Sequence, residues 1–339
     1  MLKKSNFSSK KQLYILLLAV ITIVFAVFSL VLGYYNLTIS QVFEVLIHGK
    51  SNDPNAYTII YNIRLPRIVA ALLIGMSLSV SGSAYQGMFK NPLVSPDILG
   101  VSSGASAGAA FAIILGKSSL FIQIFAFLGG FIAVIMSYLI SLKSRHSQTI
   151  TLVLTGTMIG GLASAFVTVL KYVSTSDDKL SEITFWLMGS LNGVRFKNIQ
   201  LAIFPMILGF LIIFLYRWKL NLLMFSDNEA KSMGINPKRT KFVVIFAATL
   251  LSASAVCLGG LIGWVGLIIP HITRFLFGAN YHHVIPASAV LGALFLLIMD
   301  TIARSVFATE IPLGVLTAFA GTPFFIGLIL WKNNSNIAE

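Results

Sequence analysis

Charged side chains are scarce in this chain. Asp, Glu, Lys and Arg make up 10% of 339 residues, where a soluble domain carries roughly a quarter. The sequence therefore reads as a polytopic membrane protein, and we expect one transmembrane domain over residues 1–339. Cysteine is nearly absent: Cys257 stands alone in an apolar run, which excludes an internal disulfide or a thiolate metal site. Histidine is too sparse for a metal centre, since His271 has no second ligand at helical spacing and His282 and His283 read as a solvated turn. No metal and no cofactor is expected. Acids are missing from the middle of every apolar stretch, and only Asp97 and Asp300 come near, at stretch ends. That argues against an ion-coupled secondary transporter, which needs intramembrane acids as a relay. It also argues against an intramembrane transferase, which needs a nucleophile–base or metal cluster. A nucleotide loop is missing too. Gly49-Lys50-Ser51 and Gly116-Lys117-Ser118 lack the earlier glycine of that motif, with Glu44 and Phe111 in its place.

What the chain has is apolar length. Ten stretches, near residues 12–35, 67–88, 97–116, 120–142, 148–170, 199–216, 241–259, 262–277, 284–304 and 313–331, read as candidate spans. The first follows MLKKSNFSSKK, a segment like a signal-peptide n-region. Its apolar run has no small-residue cleavage site, so an uncleaved first span is expected. Phe242 to Pro270 holds no charge and is too long for one untilted span, so Gly259, Gly260 and Gly263 mark a break. Ten spans put both termini on one side. With that side inside, fifteen of the 24 Lys and Arg lie inside and seven of the 11 acids outside. The positive-inside rule then makes both termini cytoplasmic. The net charge of +13 thus follows topology, and no nucleic-acid partner is expected. Tyr172–Asn198 reads as a short outside helix or re-entrant piece. The pairs Gly104/Gly108, Gly156/Gly160 and Gly259/Gly263 permit close helix approach, for packing rather than a dimer seam.

The polar segment 217–241, RWKLNLLMFSDNEAKSMGINPKRTK, is the densest run of turn and cap signals. Ser226 and Glu229 have capping-box spacing, Asp227 suits the first turn, and Gly234 suits a left-handed helix end. Asn236 before Pro237 is a second start signal. Two short helices joined at Gly234 are expected. Leu222, Leu223, Met224, Met233 and Ile235, set among six cations, favour a docking surface for a partner over a merely solvated loop. On the outer side, Arg64 and Arg67 precede the second span, while Asp300 and Arg304 stand four apart in the ninth. Snorkelling by the first two arginines and a local Asp300–Arg304 pair are the plain readings. An outer face that receives an acidic partner is the alternative.

The motifs, taken in order, carry a resemblance. RLPR, Ser81–Ala105 (SGSAYQGMFKNPLVSPDILGVSSGA), WLMGSL, GLIGWVGLIIPHITR, MDTIAR and EIPLGVLTAFAGTPFF resemble the FecCD-type permeases over about residues 37–331. These are membrane subunits of ATP-binding-cassette importers for iron–siderophore complexes, haem and cobalamin. The resemblance implies an all-α fold of ten transmembrane helices, the type II importer permease, with no catalysis of its own. It implies two ATPase subunits, a second permease that is identical or a sibling, and an extracytoplasmic binding protein, in the lipid of a bacterial cytoplasmic membrane. It places the ATPase-contacting loop on Ser226, Asp227, Glu229, Ala230, Gly234 and Pro237. It places the docking residues for the binding protein on Arg64, Arg67 and Arg304. The pathway falls along the fifth and tenth helices and the short helices beside them, with Thr155, Thr157, Trp186, Met188, Thr317 and Thr322 as candidates. The expected cargo is an iron–siderophore complex, with cobalamin or haem as the alternative.

Overall fold

The computed structural model describes residues 2–35, 37–49, 53–143, 148–174, 176–306 and 309–335. Lys50, Ser51 and Arg145, used in the sequence reading, lie outside them. Thirteen α-helices occur among the described residues, and no strand. They are α1 (Leu2–Ser29), α2 (Ile39–His48), α3 (Leu65–Phe89), α4 (Val101–Ile114), α5 (Ser119–Leu142), α6 (Gln148–Tyr172) and α7 (Asp177–Met188). The rest are α8 (Phe196–Leu223), α9 (Asp227–Ser232), α10 (Pro237–Gly259), α11 (Val265–Phe277), α12 (Tyr281–Ser305) and α13 (Leu313–Ser335).

Helices dominate because hydrocarbon offers the backbone no water, so each segment bonds its own amides. Seven helical segments are long and apolar enough to cross a membrane: α1, α5, α6, α8, α10, α12 and α3 with the π-helical run Thr58–Arg64 before it. Two expected spans, α4 and α11, are instead short apolar helices. At 1.5 Å per residue, thirteen or fourteen residues cover about 20 Å, less than a bilayer core. With α13, a helix of 23 residues, the seven long and two short helices account for the ten expected stretches.

Burial sorts the helices into centre and rim. In α10, 83% of the apolar stretch is buried, against 11% in α1, which packs on α12 and exposes its remaining faces. The centre is built from small side chains. Ser79 of α3 donates to the carbonyls of Gly75 and Ser288, and Ser83 reaches the Ser288 hydroxyl at 2.9 Å. A methyl added at Gly75 would strike the Gly292 carbonyl, so α3 and α12 touch backbone to backbone. Gly104 and Gly108 of α4 meet Gly129 and Phe125 of α5 in the same way. That glycine pair is spent on packing inside the chain.

The break between α10 and α11 falls where the glycines suggested. Gly260 has φ +70°, and the chain runs extended from there to Trp264. Three helix ends meet at this depth. The Ser190 amide donates to the Gly259 carbonyl at 2.9 Å, and the Leu313 amide to the Gly189 carbonyl at 2.9 Å. The ends of α7 and α10 and the start of α13 thus satisfy one another. Irregular backbone inside a membrane is tolerated only when protein or a cavity surrounds it. Here it has both.

Candidate functional site

The loop after α8 folds as its caps dictate. Ser226 and Glu229 close a full capping box: the Ser226 amide and hydroxyl both donate to the Glu229 carboxylate at 2.8 Å, and the Glu229 amide donates to the Ser226 hydroxyl at 3.3 Å. These bonds, hydroxyl first, hold the Glu229 carboxyl below the usual carboxylate range. Asp227 pairs with Lys241 at 3.0 Å, tying α9 to the first turn of α10. Gly234 sits at φ +86° and passes the chain to Asn236, whose side chain accepts from the Arg239 amide. Two of the six loop candidates do not face outward. Ala230 and Pro237 are buried, because the α9 turn folds over its own small core with Leu223 and Ile235. The apolar groups on the outside are Met224, Phe225 and Met233. Phe225, which the sequence reading passed over, lay in the same run.

The outer arginines are buried, contrary to the expectation of an exposed face. Arg64 donates to the carbonyls of Leu30, Val31 and Tyr35, at 2.5, 3.0 and 2.5 Å. Arg304 donates to the Leu32 and Ser29 carbonyls, at 2.6 and 2.5 Å. Arg304 therefore caps the last carbonyl of α1, at Ser29, and both arginines hold the turn that follows that helix. Arg67 donates to Asp300 and to Glu310, each at 2.6 Å. Arg304 faces the second Asp300 oxygen at 3.5 Å. In this conformation none of the three guanidinium groups is a free surface charge. The local reading of Asp300 holds only in part, since its shorter contact is to Arg67.

A third feature is a cavity of about 680 Å³ at the junction of helix ends, walled by Met188, Leu261, Trp264, Gly314, Phe319 and Thr322 among others. Among the described residues, no ionisable side chain lines it. Of the six pathway candidates, Met188 and Thr322 face it, and Thr157 lies on the exposed face of α6. Trp186 is half-buried against the core. Thr155 and Thr317 are buried and turned away. The Thr155 hydroxyl donates to the carbonyls of Ser137, Thr151 and Leu152, and that of Thr317 to Gly314. A hydroxyl in an apolar setting takes the nearest carbonyl, and sequence alone does not say which face that is. Trp264 was missed. It holds φ +70°, a conformation costly for a bulky residue, and packs its ring on Gly321 and Phe325.

Residues 21–332 match the FecCD transport family. The chain belongs to that family. It is 38% identical over 318 residues to the molybdate import system permease MolB of Haemophilus influenzae, covering 93% of this chain and 94% of that one. It is 37% identical, over 92% of this chain and 96% of the other, to an iron chelatin transport system permease of Helicobacter pylori. Further relatives are named for cobalamin and hemin import. Among solved structures, an inward-facing conformation of a metal-chelate type ABC transporter superposes with TM-score 0.85 at 38% identity, covering 96% of this chain and 99% of that one. This FecCD permease is a multi-pass membrane subunit of the metal-chelate importer type, and its relatives are transport subunits rather than enzymes.

Proposed function

We propose that this permease carries an iron–siderophore complex across the cytoplasmic membrane of a bacterium by alternating access. The observation that carries the reading is the cavity: about 680 Å³, apolar, with no charged side chain among the described residues that line it. A bare oxyanion needs cations or aligned amides to replace its water, whereas a bulky chelate already wraps its metal and presents ligand carbon to the wall. Molybdate is the second reading, favoured by the identity to MolB.

In the mechanism, both termini and the 217–241 loop are cytoplasmic. Two ATPase subunits grip α9 through Ser226, Asp227 and Glu229 and the exposed Met224, Phe225 and Met233. Gly234 and the caps of α9 and α10 keep the loop stiff, so ATPase closure is passed to α8 and α10 as a displacement. A second permease, identical or a sibling, covers the exposed faces of α6 and α13 and completes the passage beside Thr157, Met188 and Thr322. A binding protein delivers cargo at the outer end. For its acidic groups to reach the three arginines, the turn after α1 has to release Arg64 and Arg304, and Asp300 and Glu310 have to release Arg67.

Uptake of radiolabelled ferric siderophore, molybdate, cobalamin and haem, in cells with and without the gene, tests this. Loss of ferric siderophore uptake alone supports the proposal. Loss of molybdate uptake alone replaces it with the second reading.

A further inference from the structure

A second cavity, of about 380 Å³, opens between the end of α8 and the start of α10, walled by Tyr216, Trp218, Lys219, Gly234, Asn236 and Arg239 among others. We propose that it holds the headgroup of an anionic phospholipid from the leaflet on the loop side.

Three observations meet there. First, α8 ends an exposed apolar stripe: Phe204, Leu208, Leu211, Leu215 and Trp218 recur every three or four residues and are open to the surroundings. That spacing keeps them on one helix face, so the stripe follows an acyl chain down to the cavity mouth. Second, the mouth carries a Trp and a Tyr, the side chains that settle at the level of lipid headgroups. Third, two cations converge on it, and neither has a carboxylate partner among the described residues. Lys219 lies over the faces of Tyr216 and Trp218, at 4.0 and 5.5 Å, which holds its ammonium at the rim. Arg239 is exposed on the first turn of α10. Elsewhere around the loop, Lys241 is paired with Asp227, and Lys90, at the end of α3, donates to the Phe225 carbonyl at 2.6 Å. The cavity is thus positive, wet on one side and continuous with lipid on the other.

A phosphodiester between Lys219 and Arg239 would bind the end of α8 to the start of α10. These are the two helices that, in the function proposed above, take up the loop's movement. Assignment of the leaflet rests on that reading, whereas lipid binding itself does not.

The test is native mass spectrometry of the full-length permease, delipidated in neutral detergent and titrated with phosphatidylglycerol or phosphatidylcholine of matched chains. The first phosphatidylglycerol should bind tighter than phosphatidylcholine by roughly thirty-fold, the factor two membrane-surface cations give together. Lys219→Gln with Arg239→Gln should bring phosphatidylglycerol to the phosphatidylcholine level. Each single variant should fall between, which keeps the test valid if the double variant fails to fold. Lys197→Gln, at the opposite end of α8, should keep the full preference. Equal affinity for the two lipids in the unaltered protein would overturn the proposal, as would an undiminished preference in the variants. Inorganic phosphate that displaces the lipid would reassign the cavity to a free anion. Loss of bound lipid on adding the ATPase would make the cavity part of that interface instead. Neither result would touch the importer reading.

Discussion

Arg67 of α3 donates to Asp300 of α12 at 2.6 Å, and solvent reaches almost nothing of either side chain. The pair joins two of the helices that pack most closely at the centre. Its carboxylate also faces Arg304, while Glu310 takes the other side of Arg67. Three guanidinium groups are therefore held by two carboxylates and by the carbonyls of Ser29 and of the turn after α1. Removing a partner from such a set leaves a buried charge unmatched, at a cost of about 3–5 kcal/mol. Asp300→Ala should lower the melting temperature in detergent far more than removal of an exposed acid such as Glu182. The geometry also changes how docking is tested. Arg64→Glu with Arg67→Glu puts two carboxylates against Asp300 and helix carbonyls, so loss of fold should precede any loss of docking.

Gly234 presents a cleaner case. At φ +86° it has open space around the position of a Cβ, so a larger residue there meets backbone strain and no collision. Gly234→Leu should cost about 1–2 kcal/mol, the penalty of the left-handed region for an L-residue. Glu229→Ala removes half of the capping box and so loosens the first turn of α9. Both should leave assembly with the ATPase intact, since Ser226, Asp227 and the exposed Met224, Phe225 and Met233 remain to hold it. Both should lower cargo transported per ATP hydrolysed in reconstituted vesicles. Unchanged transport per ATP would count against a mechanical role for α9.

The same carboxylate gives α9 a pH dependence. Because Ser226 holds the Glu229 carboxyl below its ordinary range, the cap is fully present above the unfolded value. It is lost as pH falls through the folded one. The protection of the α9 amides, taken relative to the intrinsic exchange rate at each pH, should hold through neutral pH and fall on acidification. Glu229→Gln, which cannot titrate, should flatten that profile.

Legibility in the sequence followed the range of the forces involved. The caps at Ser226, Gly234 and Asn236 are local, set within four residues, and the structure reproduces them. The break at Gly259–Gly263 was legible for the same reason. Burial of Arg64 and Arg304 was not, because the carbonyls that receive them come from a turn more than 25 residues away in one case and about 270 in the other. Thr155 and Thr317 misled because a hydroxyl marks a helix face as easily by bonding its own backbone as by lining a passage. The shortness of α4 and α11 was hidden too. An apolar stretch keeps its composition where the helix stops, and the turn is fixed by neighbours such as Gly189 against Leu261.

The cavity gives the most direct functional expectation. Thr322 lines it and is exposed, so Thr322→Trp adds bulk to open space and should alter stability by no more than about 0.5 kcal/mol. The indole would stand opposite Met188 and beside Trp264, narrowing the passage where three helix ends meet. Uptake should fall to background while basal ATP hydrolysis by the assembled complex continues, because the 217–241 loop, proposed above to meet the ATPase, is unaltered. Thr155→Val should do the reverse. Its hydroxyl bonds carbonyls of α5 and α6, so stability should drop by about 1 kcal/mol and uptake should persist. Full uptake by Thr322→Trp would move the passage away from this cavity, to the face of α6 around Thr157.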